Sequence, residues 1–297
     1  MLRNRSSIAG SKEDIMQRRM LAVAAAVALG ATALLGAAPA SAAEQPPPGG
    51  YAYVALGDSE AAGTGLLPAV QMDCLRSIKA YPIVLAPTYG GVASHACAGA
   101  TSADALTQAR TAIAAGRLGA ATELVTITVG MNDVGWQSVL LACSSSGTVP
   151  ACQTAFDRAM LLGQSLPTSI GTIVATVRAV PGFDGRIAVG GYPLLFGDLA
   201  TSCSIGSFQG TPIDVSPAQA ALANLGVEQI NLAIRAGAMA AGGTYIDIGA
   251  AFDGHGLCDT SGPWVSGLVN GQRTSDRSLH LNWPGQRAYA AAIVAGL

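Results

Sequence analysis

Short apolar runs bounded by glycine alternate along this chain with longer stretches of helical periodicity. Tyr51–Leu56, Leu124–Val129, Arg186–Gly190 and Thr244–Ile248 read as strands. The run Glu123-Leu-Val-Thr-Ile-Thr-Val-Gly130 is short and β-branched, as a strand buried on both faces should be. A fifth, short strand is expected near Gly91–Ala96. Helices are expected over Ser102–Ala115, Gln153–Val180, Pro217–Ala240 and Pro284–Gly296. Thr101 or Ser102 would cap the first, and Pro284 suits the first turn of the last. Strands alternating with helices predict a parallel α/β fold, a three-layer α/β/α sandwich with right-handed crossovers. The segments Leu199–Pro217 and Phe252–Arg273 show neither period and are expected to be long loops over the sheet, where substrate sites are commonly shaped.

The first 42 residues follow a different logic. Arg18-Arg19 precede a 15-residue apolar run, Leu21 to Leu35, and Ala40-Ser41-Ala42 fits a small-residue cleavage site. The run is short for a bilayer span, which needs about 20 residues. Residues 1–42 therefore read as a signal peptide for the general secretory route, with Met16 or Met20 as alternative starts. Residues 43–50 form a Pro/Gly linker, and 51–297 are expected to be one domain with no further membrane segment.

Removing the leader leaves 11 basic and 16 acidic residues, a net charge of −5. That balance argues against nucleic acid as a partner, since phosphate binding needs a basic footprint. Overall charge likewise supplies no attraction to anionic lipid. All six cysteines (Cys74, Cys97, Cys143, Cys152, Cys203, Cys258) lie beyond the leader, an even number that reads as disulfides in an exported chain. Spacing alone leaves 15 possible pairings open, and it fits no zinc pattern.

Candidate chemistry sits at element ends. Gly57-Asp58-Ser59 closes the first strand, where a parallel sheet presents its ligands. Gly130-Met131-Asn132-Asp133 follows another strand, and Asp276-Arg277-Ser278-Leu279-His280 precedes the last helix. A hydroxyl, an amide and an imidazole are the parts of an acyl-transfer site. Of the three histidines beyond the leader, only His280 precedes an Asn and a helix start; His95 and His255 are expected to be structural or exposed. Asp58 is expected to bond backbone amides and order the Ser59 turn.

With Ala96-Cys97-Ala98-Gly99-Ala100-Thr101, these segments form four ordered blocks over Tyr51–Leu297 that resemble the SGNH/GDSL hydrolase superfamily, in its secreted actinobacterial lipase/esterase branch. Gly191-Tyr192-Pro193-Leu194-Leu195-Phe196, and Cys258 followed by Pro263-Trp264-Val265, also look like that branch. The resemblance implies a flavodoxin-like five-stranded sheet, Ser59 as nucleophile and His280 as general base. It implies an oxyanion hole from the Ser59 amide, the Gly99 amide and the Asn132 side chain. It also implies the sequential pairs Cys74–Cys97, Cys143–Cys152 and Cys203–Cys258, an acyl ester or lipid substrate, a monomer, and no metal or organic cofactor. A carbohydrate or cell-wall O-acetyl esterase is the alternative within the fold, and a catalytically silent surface module the alternative outside the class.

Three positions depart from the family pattern: Met131 for Gly, Leu281 for Pro, and Arg277 where Asp stands three residues before the histidine. An imidazole base needs an acceptor at its second nitrogen. Some relatives use a main-chain carbonyl at that spacing, which here implies Arg277 O, with the Asp276 carboxylate as the alternative.

Overall fold

The computed structural model describes residues 45–143, 148–208, 210–269 and 275–297. The expected signal peptide lies outside the described residues. Five parallel strands form the central sheet in the order β4-β1-β5-β6-β9. These are β1 (Tyr53–Gly57), β4 (Ala93–Ser94), β5 (Leu124–Thr128), β6 (Arg186–Gly190) and β9 (Thr244–Ile246). Register runs Tyr53 opposite Leu124 and Leu124 opposite Arg186. The chain passes from β1 to one edge and then returns to build the other side. This order is the flavodoxin-like one, and its switch point lies between β1 and β5. Ser59 follows β1 and Asn132 follows β5, so the topology sets both beside the crevice.

Alternation along β1 explains the layers. Val54 and Leu56 face a core built with Val125, Ile127 and the helices α3 (Ser102–Ala114), α6 (Leu166–Arg178) and α7 (Pro217–Ala240). Tyr53 and Ala55 face the opposite core with Tyr81, Tyr289, Ala290 and Ile293. There the threonines of β5 are not idle. Thr126 bonds Tyr53 (2.9 Å), and Thr128 bonds both Tyr81 (2.8 Å) and Tyr289 (2.9 Å). Each buried hydroxyl thereby finds a partner, as burial demands. The helix behind this face, α9, spans Trp283–Gly296, capped by Asn282.

Capping follows the sequence. Thr101 and Asp104 form a capping box on α3, and Ser216 and Gln219 form one on α7. The expected helix over Gln153–Val180 is corrected to two. α5 (Val149–Gly163) stops at Gln164 and Ser165, and α6 restarts with Pro167 in its first turn, where a missing N–H costs nothing. The stretch Pro150–Arg178 is long and apolar enough to cross a membrane by length and composition. Its α6 half instead buries Ile170, Ile173, Val174 and Val177 against the sheet.

The segment expected as a loop over Leu199–Pro217 contains a hairpin, β7 (Cys203–Phe208) with β8 (Thr211–Val215). Short elements also went unpredicted: α1 (Ser59–Ala62), the hairpin of β2 (Ala69–Gln71) and β3 (Arg76–Ser77), α2 (Tyr81–Leu85), α4 (Trp136–Cys143) and α8 (Ile248–Ala251). The three disulfides are Cys74–Cys97, Cys143–Cys152 and Cys203–Cys258. The third ties the β7–β8 hairpin to the loop after α8, as does the bridge Gly206 to Leu268, and the bridge Phe196 to Leu257 joins the same loop to the segment after β6. Residues 46–297 cluster as one unit.

Candidate active site

The nucleophile corner begins at Gly57. Its φ is +147° and an added Cβ would lie 2.3 Å from Thr128 O, so only glycine fits against β5. One side chain satisfies both of its backbone groups: Gln108 accepts from Gly57 N (2.8 Å) and donates to Gly57 O (2.9 Å). Asp58 N donates to Thr128 O at 2.9 Å. Asp58 is the N-cap of α1, its Oδ1 accepting from Glu60 N at 3.0 Å, and Ser59 is the first helical residue. The serine is thus presented at a strand-to-helix turn rather than used as the cap.

Asp58 has a second partner that sequence reasoning missed. The Tyr192 hydroxyl donates to Asp58 Oδ2 and accepts from Met131 N at 3.2 Å. The tyrosine therefore bridges the nucleophile block to the asparagine block. Its own backbone is clamped by Asn231 of α7, which accepts from Tyr192 N and donates to Tyr192 O, both at 2.8 Å. Burial pushes the Asp58 carboxyl up to about 7, against the lowering effect of Tyr192. Glu60, next to the serine, is pushed up to about 8 by burial and then by the Asp58 charge. Its carboxyl accepts from Leu281 N at 3.4 Å, linking α1 to the residue after His280.

Asn132 donates one amide hydrogen to Ala100 O at 2.9 Å, and its Oδ1 accepts from Gln137 Nε2 at 3.4 Å. The carboxamide has two N–H groups, so the second is left for a ligand. Asp133 has a structural role, accepting from Ser102 N at 2.9 Å and from the Ser102 hydroxyl at the start of α3. Gly99 is exposed with φ +81°, and a Cβ there would meet nothing within 4 Å.

His280 lies on a main-chain turn. Its backbone N–H donates to Arg277 O at 2.9 Å. Leu279, at the third position of that turn, holds φ +62°. The imidazole Nδ1 lies 2.9 Å from Ser278 O. The expected Arg277 carbonyl is therefore corrected to Ser278, because the turn itself uses Arg277 O. The Asp276 carboxylate does not bond the ring either; its Oδ1 accepts from Ser278 N at 2.9 Å. A carbonyl can only accept, so Nδ1 carries the hydrogen and Nε2 keeps its lone pair. Burial lowers the imidazole below its ordinary value, opposed by the Ser278 bond and the Asp276 charge. The ring is thus neutral, and able to take a proton, at neutral pH. Ladder bonds fix the turn: Ser266 N to His280 O (2.9 Å) and Leu279 N to Ser266 O (3.0 Å).

Ser59, Asn132 and His280 line one cavity, together with Asp58 and Glu60. Gly99, Asp276 and Arg277 do not. Most of the remaining wall is apolar: Leu140 of α4, Phe156 and Met160 of α5, and Val227 and Ile230 of α7, joined by Met131 after β5. Trp136 meets His280 edge-on with ring centroids 6.2 Å apart. The other two histidines lie elsewhere. His255 stacks on Trp264 at 3.5 Å and bonds Gly262 O. His95 has a buried Nε2 without a partner, and burial, then Arg117 and Arg76, push it down to about 4. Among the described residues no cluster of three metal-ligating side chains occurs.

The GDSL-like Lipase/Acylhydrolase family pattern matches residues 55–288. The chain is 33% identical to Lipase 2 of Streptomyces coelicolor over 299 residues, 93% of this chain and 95% of that protein. It is 30% identical to a lipase of Streptomyces rimosus over 260 residues, 86% of this chain and 90% of that protein. Among solved structures it resembles phospholipase A1 from Streptomyces albidoflavus NA297, with TM-score 0.71 and 28% identity over 84% of this chain and 99% of that one. The extracellular lipase from Streptomyces rimosus gives TM-score 0.69 and 27% identity over 82% of this chain and 99% of that one.

Proposed function

The chain belongs to the GDSL-like lipase/acylhydrolase family and is an ester hydrolase; from that premise we propose that it is exported and cleaves acyl esters of lipid type through a Ser59–His280 dyad. In this reading Ser59 Oγ attacks the ester carbonyl while His280 Nε2 takes its proton. The Ser278 carbonyl holds the Nδ1 hydrogen and fixes the tautomer. The second Asn132 N–H and the Ser59 and Gly99 amides receive the developing oxyanion. Among the described residues neither amide has an intramolecular acceptor. His280 then returns the proton to the leaving alcohol, and water releases the acid from the acyl-enzyme. The Tyr192 bridge keeps the Ser59 and Asn132 blocks in register, which matters because donors must meet the oxyanion within a few tenths of an ångström.

The observation that carries the substrate class is the wall of the cavity. The groups around Ser59 are polar, and the surface beyond them is aliphatic and aromatic. An acyl chain gains about 0.8 kcal/mol per buried CH2 in such a space. A sugar hydroxyl array would lose its water there without partners. This supports a lipid or fatty ester over a glycan O-acetyl ester. Export is supported by the three disulfides.

The test is a series of p-nitrophenyl esters from acetate to palmitate, with an organophosphonate as covalent probe. Turnover should rise with chain length beyond acetate. The phosphonate should add to Ser59, and Ser59→Ala should abolish turnover while leaving thermal unfolding unchanged. A phosphonate adduct elsewhere, or acetate as the best substrate, would overturn the reading.

A further inference from the structure

The dyad and the oxyanion hole leave one carboxyl of the cavity without a task. Glu60 lines the cavity beside Ser59, Asn132 and His280, yet is only 7% exposed. Its backbone is pinned: Glu60 O accepts from Gln286 Nε2 at 3.0 Å, and Gln286 Oε1 accepts from Tyr81 N at 2.6 Å. One oxygen of its carboxyl accepts from Leu281 N at 3.4 Å. The other has no partner among the described residues.

The neighbouring acid is different. Asp58 has both oxygens engaged, one by Glu60 N and one by the Tyr192 hydroxyl. Tyr192 in turn uses its hydroxyl between Asp58 and Met131 N. Glu60 alone of these three keeps hydrogen-bonding capacity to spare. A buried polar atom left unpaired is costly, and folded proteins rarely keep one without a use. Unlike the enclosed, unpartnered hydroxyls of Thr64 and Ser266, the free Glu60 oxygen keeps accessible surface, and that surface opens on the cavity. Its partner is therefore a group on the bound substrate.

Charge state and position say which group. Burial and then the Asp58 charge push Glu60 up to about 8, so at neutral pH it is mainly the uncharged acid. An uncharged carboxyl both donates and accepts, and a hydroxyl, which does the same, is its match. Glu60 is tied to the residue after His280, which sets it on the histidine side of Ser59. His280 hands its proton to the departing alcohol, so the alcohol part of the ester occupies that side. The acyl chain takes the apolar wall and offers Glu60 nothing to bond.

We propose that Glu60 is a specificity residue: its free carboxyl oxygen hydrogen-bonds a hydroxyl on the alcohol part of the ester. The enzyme thereby selects esters of a polyol such as glycerol, with a hydroxyl left free beside the scissile bond, over esters of simple monohydric alcohols. The inference rests on the lipid-ester reading of the site and narrows it to partial glycerides. One such group serves one hydroxyl, not the array of a sugar ring.

The test compares glycerol monooctanoate with propyl octanoate, which share the acid and a three-carbon alcohol and differ in the hydroxyls. The native enzyme should favour the glycerol ester in kcat/KM by about tenfold, the scale of leaving a built hydrogen-bonding site unpaired. Glu60→Met fills the same space without hydrogen-bonding groups and should bring the two substrates within about threefold. Glu60→Gln can still accept from Leu281 N and donate to a hydroxyl, so it should restore most of the preference. The ratio cancels any loss of rate common to both esters, so a merely structural Glu60 would lower both rates at an unchanged ratio. That outcome in Glu60→Met would overturn the proposal. So would a native enzyme indifferent to the hydroxyls, and this arm decides alone if thermal unfolding shows Glu60→Met to be unfolded. Native hydrolysis of neither ester would instead count against the lipid-ester reading, and the two failures are thereby separable.

Discussion

The nucleophile corner and the histidine turn are built on opposite plans. Around Ser59 the backbone is held by buried side chains from distant elements: Gln108 on both groups of Gly57, Tyr192 on Asp58, Asn231 on Tyr192. Around His280 the constraints are mainly main-chain: a turn bond to Arg277 O, a two-bond ladder with Ser266, and the Ser278 carbonyl on the ring. The contrast has a physical reason. An oxyanion hole must be preorganised by groups that cannot relax, and buried polar networks supply that rigidity. A base needs one correct tautomer and a reach, which a carbonyl supplies whatever side chain it belongs to. The two regions should therefore respond differently to substitution: the first through side chains, the second hardly at all.

The largest effect that sharpens this comparison is at Asn132. Asn132→Ala should lower kcat by about 10²–10³ with little change in KM, because its free N–H bonds the oxyanion more strongly than the ground-state carbonyl. An effect confined to KM would contradict the role. Next comes Tyr192→Phe, which keeps the ring and removes one hydroxyl. Asp58 then loses a donor and Met131 N an acceptor inside the core, a cost of about 1–3 kcal/mol. Thermal unfolding should fall by several degrees, about 2–4 °C per kcal/mol for a domain of this size. Turnover should fall by about tenfold through lost register between Ser59 and Asn132. Unchanged kcat with lowered stability would reduce Tyr192 to a core residue.

Legibility in the sequence divides along the same line. β1, β5 and β6 could be read because, past the exposed Arg186, both of their faces are buried, and the polar residues among them, Thr126 and Thr128, are β-branched and favour strands. Ser59, Asn132 and His280 could be placed because each follows or precedes such an element. The Tyr192 bridge was not legible. Its partners lie 134 positions away at Asp58 and 61 at Met131, and no local pattern announces a contact of that span. The β7–β8 hairpin was missed because Gly206, Gly210, Pro212 and Asp214 in Cys203–Val215 carry little strand propensity. Its pairing is sustained by Cys203–Cys258 and by Leu268 N on Ile205 O. The identity of the orienting carbonyl failed for a subtler reason. A left-handed residue at the third turn position is ordinarily Gly or Asn, and Leu279 gives no such signal.

Asp276→Asn should produce the smallest effect and the most discriminating one. Asp276 touches the imidazole only through its charge, while its Oδ1 holds Ser278 N–H. An asparagine oxygen can accept the same bond, so the turn and the Ser278 carbonyl should stay in place. Turnover at pH 8 should remain within about threefold of the parent, the scale of lost charge at a partly solvated distance. The pH profile should shift in a defined direction. The Asp276 charge raises the His280 pKa, so removing it lowers that pKa further. The base must be unprotonated to act, so the acid limb of kcat/KM should move to lower pH, and the variant should keep relatively more activity there. If the carboxylate instead oriented the ring, Asp276→Asn would favour the wrong tautomer and cost up to about 10⁴-fold at every pH. A loss beyond about a hundredfold with folding intact would restore the triad, since a single charge acting through space supplies only about one pKa unit of tuning. The acid limb separates the two cases even when the rate loss is intermediate. A through-space charge moves its midpoint, whereas a broken triad lowers the whole curve.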